Sequence, residues 1–401
     1  MTFRKLMKLT HLYLGVPVAL IVSWVALSGA LMTFQTDIRK YVLYPAPRVE
    51  VPQQMPQATA LLTPHQLRAR LCQQVAIPGE NVPAAASQTS KVSKEQTAVG
   101  IHGVEYRSAD EAALLTTGNR RSPEGETYYF VNPYTGELLA QYNTANDIFR
   151  QIMIGHRFLW LPREVGRPIV GTATLLFVVL IVSGLVMWLP KKIKKATIKQ
   201  AFSLSTKGGR AMVVKRWHGA LGVYVAIVGL VVALTGLTWS FQWYRSVYNA
   251  AWGITSTRLN PAQSDTTLTA AQSDSLLLGV LFAQLQNEIP IGQAGQTTFS
   301  FAKQATDSYQ VSYKYSRYSI SQQDTRYFDR YTLRPLSASF YADKPLHERI
   351  GTARYDLHTG GAFGLVGLVV YFLASLAIAS LPLTGLWIVI NRQRKKAQKR
   401  K

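Results

Sequence analysis

Two histidines open the same pattern in two separate uncharged stretches of this chain. The first stretch runs His11, Leu14-Gly15-Val16, Leu27-Ser28-Gly29; the second runs His218, Leu221-Gly222-Val223, Leu234-Thr235-Gly236. Glycines follow each histidine at +4 and +18, and 18 residues make five turns of an α-helix. Histidine and glycines therefore share one stripe of each helix. Two further histidines, His156 and His358, precede two other uncharged stretches. Ionisable side chains at membrane depth mark functional sites. Paired imidazoles on facing helices suit a haem iron, which takes one axial ligand on each face of a flat macrocycle. The expectation is two haem b groups, one held by His11 and His218 and the other by His156 and His358.

The glycines then acquire a physical reason. A porphyrin is bulky and rigid, so helices beside it need bare faces, which Gly15, Gly29, Gly222 and Gly236 supply. Ser183-Gly184 and Thr384-Gly385 are matching small pairs on the other two stretches. Haem propionates are anionic and pair well with guanidinium forks. Arg157, Arg163, Arg167 and Arg354 are the candidate partners at the His156–His358 end, and Lys8, Lys215 and Arg216 at the other. Met153 or Met32 could replace an imidazole at the His156–His358 site. A zinc or copper centre would need ligands converging at one point, with Cys, Asp or Glu added, and no acidic residue lies on these stretches. His65, His102 and His347 read as ordinary surface residues.

The elements that must position these side chains follow from hydropathy and charge. Four uncharged stretches, 9–34, 169–189, 217–244 and 359–391, each longer than the roughly 20 residues that cross a bilayer, predict four membrane helices, the second spanning 165–189. The first is expected to remain as an anchor, since its apolar core is too long for a signal peptide and no small-residue cleavage site follows. Pro17 and Pro382 predict kinks. Pro162 and the charged run from Arg163 to Pro168 predict a break between His156 and its span. The chain carries +23 net charge, unevenly spread. Residues 1–10, the loop 190–216 and the tail 392–401 are basic and hold no acidic residue; all 21 Asp and Glu lie elsewhere. By the positive-inside rule, the termini and the 190–216 loop are cytoplasmic, and the connections 35–160 and 245–357 face the periplasm. The high pI thus reflects topology, with no nucleic-acid partner expected. Cys72 is the lone cysteine and can form no internal disulfide.

The order span, external segment, span occurs twice, a tandem duplication. Each external segment reads as a small α+β domain. The first has a helix at 63–74, a strand at 127–131, a turn at 132–136 and a strand at 137–140. The second has a helix at 273–287 and strands at 297–301, 309–315, 325–331 and about 336–341. Residues 78–100 and 255–270 are Ser/Thr/Gln/Ala/Pro-rich linkers.

His156-Arg157-Phe-Leu-Trp-Leu with Gly166-Arg167, Trp217-His218-Gly-Ala-Leu-Gly222, and Leu357-His358-Thr359-Gly360 with Gly364 resemble the PepSY-associated transmembrane family. Tyr129-Phe-Val-Asn-Pro-Tyr-Thr-Gly136-Glu137 resembles the closing hairpin of a PepSY domain, whereas Phe328-Asp329-Arg330-Tyr331-Thr332 lacks the turn glycine. The resemblance implies an inner-membrane protein: a four-helix transmembrane bundle carrying two PepSY-like periplasmic domains. Family members include di-haem reductases of ferric siderophores. The expected activity is electron transfer to a periplasmic ferric siderophore or similar Fe(III) chelate. With no G-x-G-x-x-G fingerprint in the sequence, the electrons are expected from a separate flavoprotein, a small carrier or quinol. The alternatives are a non-enzymatic, membrane-anchored PepSY binding or regulatory protein, and a permease for an iron chelate.

Overall fold

Backbone groups inside a bilayer must pair within the chain, so long uncharged stretches become helices. The computed structural model describes all residues except 1, 53–60, 78–79, 81–99, 121, 191–198, 255–262, 268–273, 294 and 399–401. Most of the expected linkers at 78–100 and 255–270 lie outside the described residues, as does part of the 190–216 loop. The chain divides into two units. One comprises Met1–Gln35, Ile148–Ile254 and Ile350–Lys401; the other comprises Thr36–Asp147 and Thr255–Arg349.

The first unit is helical. Three helices are long and apolar enough to cross a membrane: α1 (Phe3–Met32), the helix Arg163–Trp188, and the segment Gly361–Gln398. The expected third span differs from a straight helix. It is a pair, Arg210–Tyr224 and Ala226–Ser240, bent by 60° at the break between them. The ladder lapses at Val225 (φ −96°, ψ 0°), in a run thinned by Gly219, Gly222 and Gly229. No proline lies there, whereas the helices containing Pro17 and Pro382 continue through them. α1 packs along Arg163–Trp188 and along the last helix, and Arg163–Trp188 packs along Ala226–Ser240. Val18, Val22 and Ala173 are buried at one of these contacts.

Short helices precede two of the spans, and both belong to this unit. The helix Ile148–Phe158 is joined to Arg163–Trp188 by residues 159–162, with Pro162 as N-cap. The expected break is thus four residues long, and the charged run beginning at Arg163 forms the first turns of the membrane helix. Arg354–Thr359 precedes the last span, with Gly360 at φ +85° between them. Both links are tight. A Cβ on Gly166 would lie 2.0 Å from the Phe158 carbonyl oxygen, and one on Gly367 would lie 2.1 Å from that of Gly360. The helical unit therefore takes in residues 148–160, 245–254 and 350–357, which the sequence reading assigns to the external domains.

The second unit takes in both external segments. It holds one antiparallel sheet of eight strands: β1 (Gly103–Tyr106), β2 (Ala113–Gly118), β3 (Glu126–Val131), β4 (Leu138–Asn143), β5 (Gln296–Ser300), β6 (Tyr309–Lys314), β7 (Gln323–Phe328) and β8 (Pro335–Ser339). Their spatial order is β4-β3-β2-β1-β5-β6-β7-β8. The seam is β1 against β5, from Gly103 opposite Ser300 to Tyr106 opposite Thr297. Each half alone would leave a bare strand edge there, and pairing removes it. Gly103 permits the approach, since a Cβ there would lie 2.2 Å from the Phe299 carbonyl oxygen. Two helices pack on one face, α2 (Pro64–Gln74) and α3 (Asp274–Leu285). A capping box between Thr63 and Gln66 starts α2. One apolar cluster serves both halves, with Leu67 and Leu71 from α2, Leu281 and Phe282 from α3, and Val104, Leu115, Phe299 and Val311 from the strands. Tyr106 and Phe282 meet across the seam at 5.3 Å between ring centroids.

Candidate functional site

Each of the four histidines lies on a helix face whose neighbour presents a hydroxyl followed by glycine. His11 on α1 meets Ser183-Gly184, and His156 on the short helix Ile148–Phe158 meets Ser28-Gly29 of α1. His218 on Arg210–Tyr224 meets Thr384-Gly385, and His358 on Arg354–Thr359 meets Thr235-Gly236. In every case the ring Nδ1 approaches the hydroxyl oxygen: 3.0 Å at Ser183, 2.9 Å at Ser28, 2.9 Å at Thr384 and 3.1 Å at Thr235. His11 Nδ1 also reaches the Leu180 carbonyl at 3.1 Å, and His358 Nδ1 the Val232 carbonyl at 2.9 Å. The carbonyl three residues before the hydroxyl is Val25 for His156 and Leu381 for His218.

These contacts fix the tautomer. The hydroxyl protons are directed at their own helix backbone: Ser28 to Trp24 and Val25, Ser183 to Leu180, Thr235 to Val231 and Val232, Thr384 to Ser380 and Leu381. The hydroxyl oxygens are thus left to accept, and a carbonyl can only accept. Nδ1 therefore carries the proton and donates. The lone pair resides on Nε2, which makes no hydrogen bond among the described residues. A neutral imidazole with its Nδ1 hydrogen so anchored has the tautomer and the fixed orientation that metal ligation by Nε2 would need.

The glycines let the rings lie flush. A Cβ on Gly29, Gly184, Gly236 or Gly385 would sit 3.6, 3.3, 3.1 or 3.4 Å from Cε1 of His156, His11, His358 or His218, respectively. The sequence reading assigns these four to a macrocycle; the structure places them under imidazoles. Gly15 faces Leu180 at an ordinary 3.5 Å, whereas a Cβ on Gly222 would meet nothing within 4 Å. Space is therefore left open one turn beyond His218.

The rings come together in two pairs. Ring centroids are 6.4 Å apart for His11 and His218, with planes at 87°, and 6.3 Å apart for His156 and His358, with planes at 76°. Two coaxial imidazoles joined to one metal by bonds of roughly 2 Å, with about 1.2 Å from nitrogen to ring centre, have centroids about 6.3 Å apart. A direct N–H···N bond of about 3 Å between them would instead bring the centroids to roughly 5 Å. Both pairs match the metal-bridged spacing. Among the described residues, no group of three or more His, Cys, Asp or Glu side chains could hold a metal ion. Among the described residues each pair thus offers two imidazoles at this spacing and no third ligand, which suits a metal whose other positions are filled by its own cofactor.

The arginines are placed less uniformly. Arg167 donates to the Ser240 carbonyl at 2.8 Å, Arg157 and Arg163 are exposed, and Arg354 lies near Tyr248. Met153 is one turn before His156, and Met32 is buried near the end of α1. The matched spacing of both pairs favours histidine over either. Elsewhere, His102 contacts the Gly118 carbonyl and Lys303 Nζ. Ser183 and Thr384, expected only as small residues beside a macrocycle, and Ser28 and Thr235, given no role in the sequence, are the hydroxyl partners of the four imidazoles. Their repeated place before glycine is the signal that marks them.

No curated protein matches the chain. Residues 9–392 match the PepSY-associated TM region, and the chain belongs to that family of membrane proteins.

Proposed function

We propose that the chain is a di-haem electron-transfer protein of the bacterial inner membrane that reduces a ferric siderophore or similar Fe(III) chelate in the periplasm. The observation that carries this reading is the pair of imidazole pairs at 6.4 and 6.3 Å, each ring with Nδ1 committed and Nε2 free. His11 and His218 would hold one haem b, and His156 and His358 the other. The bound groups would supply one-electron redox steps. The chain itself holds the imidazoles, fixes their tautomers and keeps space beside them. We read the helical unit as a four-helix bundle and the whole as a tandem duplication, because in the first half His11 meets Ser183-Gly184 and His156 meets Ser28-Gly29 just as, in the second half, His218 meets Thr384-Gly385 and His358 meets Thr235-Gly236. Basic residues 1–10, 190–216 and 392–401 favour cytoplasmic termini, so the His11–His218 pair would face the donor, a flavoprotein, small carrier or quinol. Fe(II) suits hard oxygen ligands less well than Fe(III), so reduction would release the metal.

The test is an absorption spectrum of the detergent-purified chain. A Soret band, b-type α-bands after dithionite and two haems per polypeptide are expected. A spectrum without a Soret band would end the redox reading and leave a PepSY binding protein or a permease.

A finer expectation concerns the tautomer anchor. Thr235→Val keeps the shape and removes the hydroxyl at His358 (3.1 Å). Loss of such an outer partner costs metal affinity about 10–100-fold. One of the two haems is expected to transfer faster to an apo-globin acceptor, with the other unchanged.

A further inference from the structure

His156 is carried by the short helix Ile148–Phe158 and not by a membrane helix. Its bond to Ser28 orients the ring, but something must hold the short helix against α1. The link that follows contains two consecutive residues in the left-handed region, Leu159 at φ +55° and Trp160 at φ +58°. Such conformations are unfavourable for L-residues with side chains and persist only where surrounding contacts impose them. The link after His358 makes its turn with Gly360 at φ +85°, where no side chain opposes it. A glycine turn is thus available to this architecture, and residues 159–160 do not use it.

What the left-handed pair achieves is the placement of one indole. Trp160 lies on Gly155, the residue before His156, where a Cβ would be 2.4 Å from its ring. Trp160 Nε1 donates to the Gln151 carbonyl at 3.1 Å. The same ring packs on Trp24 of α1 at 4.8 Å between centroids. Trp24 is one turn before Ser28, whose hydroxyl donates to the Trp24 carbonyl at 2.7 Å. Trp24 Nε1 is buried without a hydrogen-bond partner among the described residues, so its indole serves this contact by packing.

We propose that Trp160 is the positioning residue of the His156 site, a wedge that locks the short helix to α1 and thereby sets where Nε2 of His156 points. This rests on the haem reading above and extends it to a residue that touches neither ligand nor metal. Trp160→Ala is expected to lower haem content from two to about one per chain, or to convert one centre alone from low-spin to high-spin in the electron paramagnetic resonance spectrum. Trp160→Phe, which keeps the packing without Nε1, is expected to retain both low-spin signals. Haem-free protein gives an independent readout. The reactivity of His156 towards diethyl pyrocarbonate is expected to rise in Trp160→Ala and to stay at the parental level in Trp160→Phe. Two unchanged low-spin centres and unchanged His156 reactivity in Trp160→Ala would overturn the proposal. So would loss of both centres together with helical circular dichroism, since the indole would then support the whole unit. A parent chain without haem would sink the haem reading, and the His156 reactivities would still judge the wedge.

Discussion

Replacing His218 by alanine is expected to leave the purified chain with one haem in place of two. The surviving centre should keep its bis-imidazole spectrum, because His156 and His358 form their own pair 6.3 Å apart with separate hydroxyl partners on Ser28 and Thr235. His11→Ala is expected to give the same half-loss, and the double variant His11→Ala/His218→Ala no further loss, since either substitution already breaks the same axis. The pyridine haemochrome assay, set against protein concentration, reads the stoichiometry directly. Retention of two haems in His218→Ala would refute the pairing even if the chain binds haem.

Phe282→Ala addresses the other unit and is independent of any cofactor. The Phe282 ring is buried between Tyr106 and Phe299, at 5.3 and 5.5 Å, and truncating such a side chain costs about 3–5 kcal/mol. Because the apolar cluster serves both halves of the sheet, amide exchange is expected to accelerate together in β2 and in β6. Faster exchange confined to β5–β8 would mean that the halves are independent domains joined only along an edge.

That His11 meets His218, and His156 meets His358, was legible from residue type and helical period. The +18 glycines were legible for the same reason, but their neighbour was not. Periodicity shows that Gly29 and His11 share a stripe; it cannot show that the ring lying on Gly29 belongs to His156, 127 positions on. The strands of the second half were readable from alternation, as in Tyr309–Lys314 with Tyr309 and Val311 inward. β1 was missed because four residues, Gly103–Tyr106, are too few to establish a period. Its partner β5 lies nearly two hundred residues away, so the seam that fuses the halves could not be read from either side. The bend at Val225 escaped because no proline marks it.

α1 carries His11 for one pair and the Ser28-Gly29 cradle for the other. A single inserted residue between them would turn one end by about 100° relative to the other, so that a helix able to serve one centre would face away from the second. Such helices act as rulers with a mark at each end, and substitutions along them can be tolerated where changes of length cannot. The spacing of 17 residues from His11 to Ser28 is therefore the quantity on α1 that both pairs share.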